Sequence, residues 1–245
     1  MKKLIKINLM VMMIFVLSCE ADDPLSFYGG TELVDLVESA WASFRDGDYD
    51  VSLATFQEAK DIADEQTGTD TLLIHSTYGS IHTGIGWCNL RLLNADIARD
   101  NFIISQGYVL YSFGTSVGLM ASYFELGNEI PIDTAQINLA IEIGHWIFSS
   151  GMPEEFENDV TINVNDVKLL MAKSYYAKGD LSDNSNEGLG ALYWILQLDS
   201  FYDYLDAYNP LTWNLYNNEV QNYDSFEEVI LMVITVLESE YWQRL

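Results

Sequence analysis

Basic residues are scarce in this chain: 11 Lys and Arg stand against 37 Asp and Glu, a formal charge of −26. That balance argues against nucleic acid as a partner, because affinity for it rests on cationic contacts to phosphate. Anionic lipid headgroups would be repelled by the same surface. A cationic protein or a divalent cation would be attracted, and a solvated acidic surface also keeps a protein soluble. Histidine is scarcer still, at His75, His82 and His145. His75 and His82 lie seven apart on one face of a predicted helix, whereas a helical metal pair wants closer spacing and a further ligand. No HExxH is present, no Ser, His and Asp grouping forms a nucleophile motif, and Gly84-Ile85-Gly86 is too short for a phosphate loop. Asp183-Asn184-Ser185-Asn186-Glu187-Gly188 starts like a calcium loop, but Trp194 stands where the closing bidentate Glu belongs. It reads as a polar insertion. These absences leave no metal, no cofactor and no enzyme in the reading.

Cysteine is limited to Cys19 and Cys88. Cys88 sits in an apolar helical stretch, where a buried, inert thiol is expected. The one long apolar run at the start, Ile7 to Leu17 broken only by Asn8, is too short for a finished membrane-spanning helix of about 20 residues. It follows Lys2, Lys3 and Lys6 and precedes Val16-Leu17-Ser18-Cys19. This order of basic, apolar and small residues is that of a signal peptide. It resembles a bacterial lipoprotein signal, in which a small residue precedes a cysteine that is cleaved and acylated. The resemblance implies a signal over residues 1–18, a lipidated Cys19 with an acidic tether over 19–30, and one domain over 31–245. Glu20 in place of Asp after the cysteine resembles an outer-membrane address. The mature chain would keep 227 residues, 245 less 18, enough for a sizeable core. It would keep 8 basic residues, the 11 less Lys2, Lys3 and Lys6, against 37 acidic ones, a charge of −29.

An internal repeat emerges on shifting the chain by 46 residues. Ala40 falls on Gly86, Trp41 on Trp87, Phe44 on Leu90, Ser52 on Ala98, Phe56 on Phe102 and Ala59 on Ser105. A turn, Gly47-Asp48 or Leu93-Asn94, separates the two halves of each unit. Two helices joined by such a turn form an antiparallel hairpin, with small residues where they cross. A third half-unit places Ala172, Tyr176 and Gly179 at the spacing of Ala40, Phe44 and Gly47.

These spacings resemble the tetratricopeptide repeat. The departures are an offset of 46 residues where the family has about 34, the missing closing proline, and an insertion from Leu181 to Glu187. The resemblance implies an all-α fold, a tetratricopeptide-like helical-hairpin array (an α-solenoid). The layout predicts helices over 31–44, 51–63, 71–92, 95–105, 117–126, 133–148, 167–178 and 189–198, with an extended piece at 161–164. Asp133 is a predicted N-cap, and Ser225 with Glu228 a predicted capping box for a last helix over 226–241 that closes the array. The acidic tether, the Gly86-Trp87 helix and the Leu169 to Tyr175 helix also resemble envelope tetratricopeptide lipoproteins, a family with no established activity to carry over.

Arrays of this kind bind partners in a groove lined by the first helix of each pair. The polar first-helix residues Asp35, Glu38, His82, Asn89 and Lys173 are the candidates for partner contact. The resulting expectation is a lipid-anchored scaffold of the bacterial envelope, in the outer membrane, that holds a protein or peptide and favours a basic one. The alternative is glycan binding by the Tyr- and Trp-rich segment 201–223, with Tyr204, Tyr208, Trp213 and Tyr216 as the platform.

Overall fold

The computed structural model describes residues 30–65, 72–109, 112–151, 155–182, 189–198, 214–215, 219–220 and 225–240. Among them the chain is mostly helical, and adjacent helices pack on one another. The elements are α1 (Gly30–Arg45), α2 (Tyr49–Glu65), α3 (Leu72–Arg91), α4 (Ala95–Gln106), α5 (Phe113–Gly127), α6 (Thr134–Ser150), β1 (Glu155–Phe156), β2 (Asp159–Asn163), α7 (Val164–Lys178), α8 (Ala191–Ile195), β3 (Asn214–Leu215), β4 (Glu219–Val220) and α9 (Phe226–Glu240). Each pair of strands forms a small antiparallel hairpin. The all-α expectation holds at this level. The predicted signal, Cys19, most of its tether, residues 183–188, and the side chains of the aromatic segment lie outside the described residues.

Helix ends follow local chemistry. Ser112 caps α5 by accepting from the Thr115 N–H at 3.3 Å. Asp133 caps α6 by accepting from the Ala135 N–H at 2.9 Å. Asn163 caps α7 in a reciprocal box with Asp166, so β2 runs directly into that helix. Ser225 Oγ accepts from the Glu228 N–H at 3.2 Å at the start of α9.

Three of the turns share one hydrogen-bond pattern. After α1, Gly47 N–H donates to the Phe44 carbonyl and Asp48 N–H to Ser43. After α3, Leu93 bonds Leu90 and Asn94 bonds Asn89; after α7, Gly179 bonds Tyr176 and Asp180 bonds Tyr175. The pattern satisfies the last carbonyls of each helix and needs a left-handed residue at its centre. Gly47 (φ 85°) and Gly179 (φ 83°) take that conformation without a side-chain penalty, whereas Leu93 holds it at φ 62°. The second helices α2 and α4 begin at the next residue, and their first bonds run from Ser52 N–H to Asp48 and from Ala98 N–H to Asn94. Ala191 N–H donates to Asp180 at 2.9 Å across the insertion. Ala191 is buried and bonds the turn residue Asp180, as Ser52 and Ala98 bond Asp48 and Asn94.

Consecutive helices pack side by side, and α1, α3, α5 and α7 also contact one another in sequence. The spacing between helices is set by rings seated on glycines. A Cβ on Gly84 would strike the Phe56 ring, and a Cβ on Gly86 or Gly118 the Phe102 ring. Trp41 Nε1 donates to Ser80 Oγ, and Trp87 Nε1 to the Gly114 carbonyl, both at 3.1 Å. Ser80 and Gly114, like Gly84 and Gly118, lie 34 residues apart, so α3 and α5 present matching positions to the preceding pair. Buried hydroxyls tie the same layers: Thr83 and Ser105 both donate to the Gly79 carbonyl at 2.9 Å, and Thr83 meets Thr115 at 2.8 Å. Cys88 is buried, its Sγ 3.2 Å from Ser52 Oγ, and burial pushes its thiol up to about 11. It is shielded, in line with its apolar sequence neighbours.

The last helix, α9, lays Val229, Ile230, Val233, Ile234 and Leu237 against α7 and α8. Substitutions at two backbone positions measure these constraints. Leu93 is 90% exposed and contributes little packing. Its left-handed backbone costs about 1–2 kcal/mol, and glycine's added chain entropy offsets roughly half of that. Leu93→Gly should therefore stabilise the protein by about 0.5–1 kcal/mol in urea unfolding; a loss of stability would count against strain at this turn. Gly118→Ala forces a methyl into the Phe102 ring and should cost about 1–3 kcal/mol in the same assay.

Candidate functional site: the face of the odd-numbered helices

The chain itself reaches across part of one face of α1, α3 and α5. The β1–β2 hairpin arises between α6 and α7. Its Phe156 is buried against Trp41 of α1 (ring centroids 5.5 Å, edge-on), against Trp87 of α3 (5.6 Å, stacked) and over Gly114 of α5, where a Cβ would strike the ring. Trp41 and Trp87 are the tryptophans that the 46-residue shift superposes. Two equivalent positions thus grip one ring from successive helices. Arg45 Nη1 donates to the Asn158 carbonyl at 3.2 Å, at the hairpin turn.

Arg91, at the end of α3, lies over the rings of Phe44 (5.8 Å) and Tyr49 (5.6 Å), which meet each other at 5.3 Å. Burial lowers its pKa, and the charges of Tyr49, Asp159 and Asp166 act in the opposite sense. Asp159 belongs to β2 and Asp166 to α7. The guanidinium is therefore placed among the helix pair, the hairpin and the following helix. A cation beside aromatic faces is favourable when largely desolvated.

Beside the hairpin the face remains open. A cleft of about 550 Å³ lies between α1 and the hairpin turn, lined by Asp35, Glu38, Ser39, Trp41, Arg45 and Asn158. Asp35 and Glu38 are exposed along its α1 wall. Their spacing with Ala42 and Arg45 puts all four on one helical face.

The five candidate contact residues do not form one surface. Asp35 and Glu38 share this cleft. His82 is buried on α3, where its Nδ1 meets Asn101 Oδ1 at 2.8 Å. Asn89 is buried too, donating to the Ile85 carbonyl and accepting from Asn94 at the α3–α4 turn. Neither is presented to a partner, because α3 is the central helix and is enclosed by α1, α2, α4 and α5. Lys173 is covered by α9: its Nζ pairs with Glu238 at 2.7 Å and lies 4.7 Å from the Phe124 ring centre. Tyr204, Tyr208, Trp213 and Tyr216 lie outside the described residues.

Sequence reasoning misses Trp41, Arg45, Arg91, Phe156 and Asn158 as site residues. The superposed tryptophans are the available signal. Phe156, a single aromatic between Glu155 and Glu157, gives no local sign of its seat. Among the described residues no group of three His, Cys, Asp or Glu is placed to hold a metal ion, and no helix is long and apolar enough to cross a membrane. Compared with family models, with curated proteins and with solved structures, the chain matches none.

The buried histidine makes stability depend on pH. Asn101 Nδ2 donates to the Ile97 carbonyl, so its Oδ1 accepts from a protonated His82 Nδ1. His82 Nε2 is then the bare nitrogen, buried with no hydrogen-bond partner among the described residues. Burial is the main cause that lowers the His82 pKa below its ordinary 6.5. The unfolded chain therefore binds the proton first as pH falls. Stability is complete above about 6.5 and declines below it. Thermal unfolding from about pH 7.5 to about pH 5 should show this decline, and it should be shallower in His82→Gln. An unchanged slope would assign it to other groups.

Proposed function

We propose that this chain is a non-catalytic, tetratricopeptide-like scaffold of the bacterial envelope, anchored by lipid on Cys19, with α9 capping its array. The fold reading is supported by the recurring turn at Gly47, Leu93 and Gly179 and by the bond of Ala191 to Asp180, which matches those of Ser52 to Asp48 and Ala98 to Asn94. It is supported further by the equivalent seating of Trp41 and Trp87 on one face. In such arrays the first helices line the partner surface.

The observation that carries the functional reading is the open cleft on α1, walled by Asp35 and Glu38. A carboxylate-lined cleft on a chain of this charge draws basic segments of a protein partner and repels acidic ones. Outer-membrane placement rests on the residues around Cys19 and Glu20.

Full-length protein crosslinked in membranes and purified should enrich a protein partner, read by mass spectrometry. Reversing both charges, Asp35→Lys with Glu38→Lys, should lower its recovery about tenfold, since like charges brought together cost several kcal/mol. Unchanged recovery would move the contact elsewhere; no enriched protein would remove the scaffold reading. Cys19→Ala should leave the precursor unprocessed and alter its membrane fractionation, and normal processing would refute the anchor.

A further inference from the structure

We propose that the β1–β2 hairpin is an intramolecular ligand of the odd-helix face, and that its seat accepts an extended segment of the same chemistry from a partner: an aromatic anchor with acidic flanks. This rests on the reading of that face as the partner surface, and it names a regulation of the same site.

The hairpin is held as a peptide would be held. Its two strands span only Glu155–Phe156 and Asp159–Asn163, and they pair with each other. Its ring, Phe156, is seated on Trp41, Trp87 and the bare backbone of Gly114, and Ile162 of β2 is buried as well. The walls of the slot come from three helices, α1, α3 and α5. Around the ring the hairpin is acidic, with Glu155, Glu157 and Asp159. The face answers with two cations: Arg45 on the Asn158 carbonyl and Arg91 within electrostatic reach of Asp159.

One of the chain's 11 basic residues, Arg45, thus bonds this acidic turn directly. The neighbouring cleft, with Asp35 and Glu38, is the part of the same face that the hairpin leaves open. Trp41 and Arg45 border both that cleft and the hairpin, so a basic segment in the cleft and an acid-flanked aromatic in the slot would occupy adjoining parts of one face. An aromatic residue that reaches the slot competes directly with Phe156.

The test uses full-length protein and a synthetic peptide copying Glu155 to Asn163. Phe156→Ala empties the slot. This variant should bind the peptide at least tenfold more tightly than the wild type, shifting the indole N–H resonances of Trp41 and Trp87. A peptide with Ala in place of its Phe should not bind. Gly114→Ala fills the slot and should abolish peptide binding in the Phe156→Ala background. A folded Phe156→Ala variant that ignores the peptide would overturn the proposal.

Should Phe156→Ala fail to fold, hydrogen exchange of the wild type decides. Hairpin amides that exchange well before those of α3 and α5 support a separable ligand; exchange only with global unfolding overturns it. Crosslinking the same variants separates the two readings. Peptide binding by Phe156→Ala with no cellular partner on either variant would count against the scaffold alone.

Discussion

Everything in this fold depends on bare backbone meeting aromatic rings. Phe56 lies on Gly84, Phe102 on Gly86 and Gly118, and Phe156 on Gly114. Each contact removes a ring from water and lets two elements approach more closely than side chains would permit. Packed interiors tolerate little change in volume, so these contacts define the distance between layers. The buried hydroxyls of Thr83, Ser105 and Thr115 can then reach one another and the Gly79 carbonyl. Had the helices stood further apart, those hydroxyls would be buried without partners, at a cost of about 1–3 kcal/mol for each group.

Scarce cations do a second kind of work. In a chain so acidic, a positive charge between elements joins segments that would otherwise repel. Arg45 binds the hairpin turn, Arg91 lies among α1, α2, the hairpin and α7, and Lys173 joins α7 to α9 through Glu238. Lys60, by contrast, pairs with Asp64 on its own helix, partly exposed, where such a pair contributes little. The cations between elements help choose the tertiary arrangement.

The repeat is legible in the sequence because it is local. Small residues, turn residues and aromatics recur at spacings within one helical hairpin. The shared turn at Gly47 and Leu93 follows from superposing them, although Leu93 gives no sign of a left-handed backbone. The insertion after Asp180 is legible as an insertion. That its ends meet through Ala191 N–H and the Asp180 carbonyl is not, since the two residues are joined only by folding. His82 and Asn89 mislead as partner-facing residues because polarity on a first helix suggests exposure. Both are polar because they satisfy buried contacts at α4 and at the α3–α4 turn.

Amino-acid order alone is enough for the helical class, most helix boundaries, the caps at Asp133 and Ser225, and the equivalence of Trp41 with Trp87. These depend on periodicity and on hydrogen bonds between residues a few positions apart. Which face those tryptophans share, and that Phe156 occupies it, is settled only when the helices pack. Arg45 and Asn158 are 113 residues apart, and no local spacing announces such a contact. The ring finds its seat through the combined position of three helices, a property that none of their sequences carries alone.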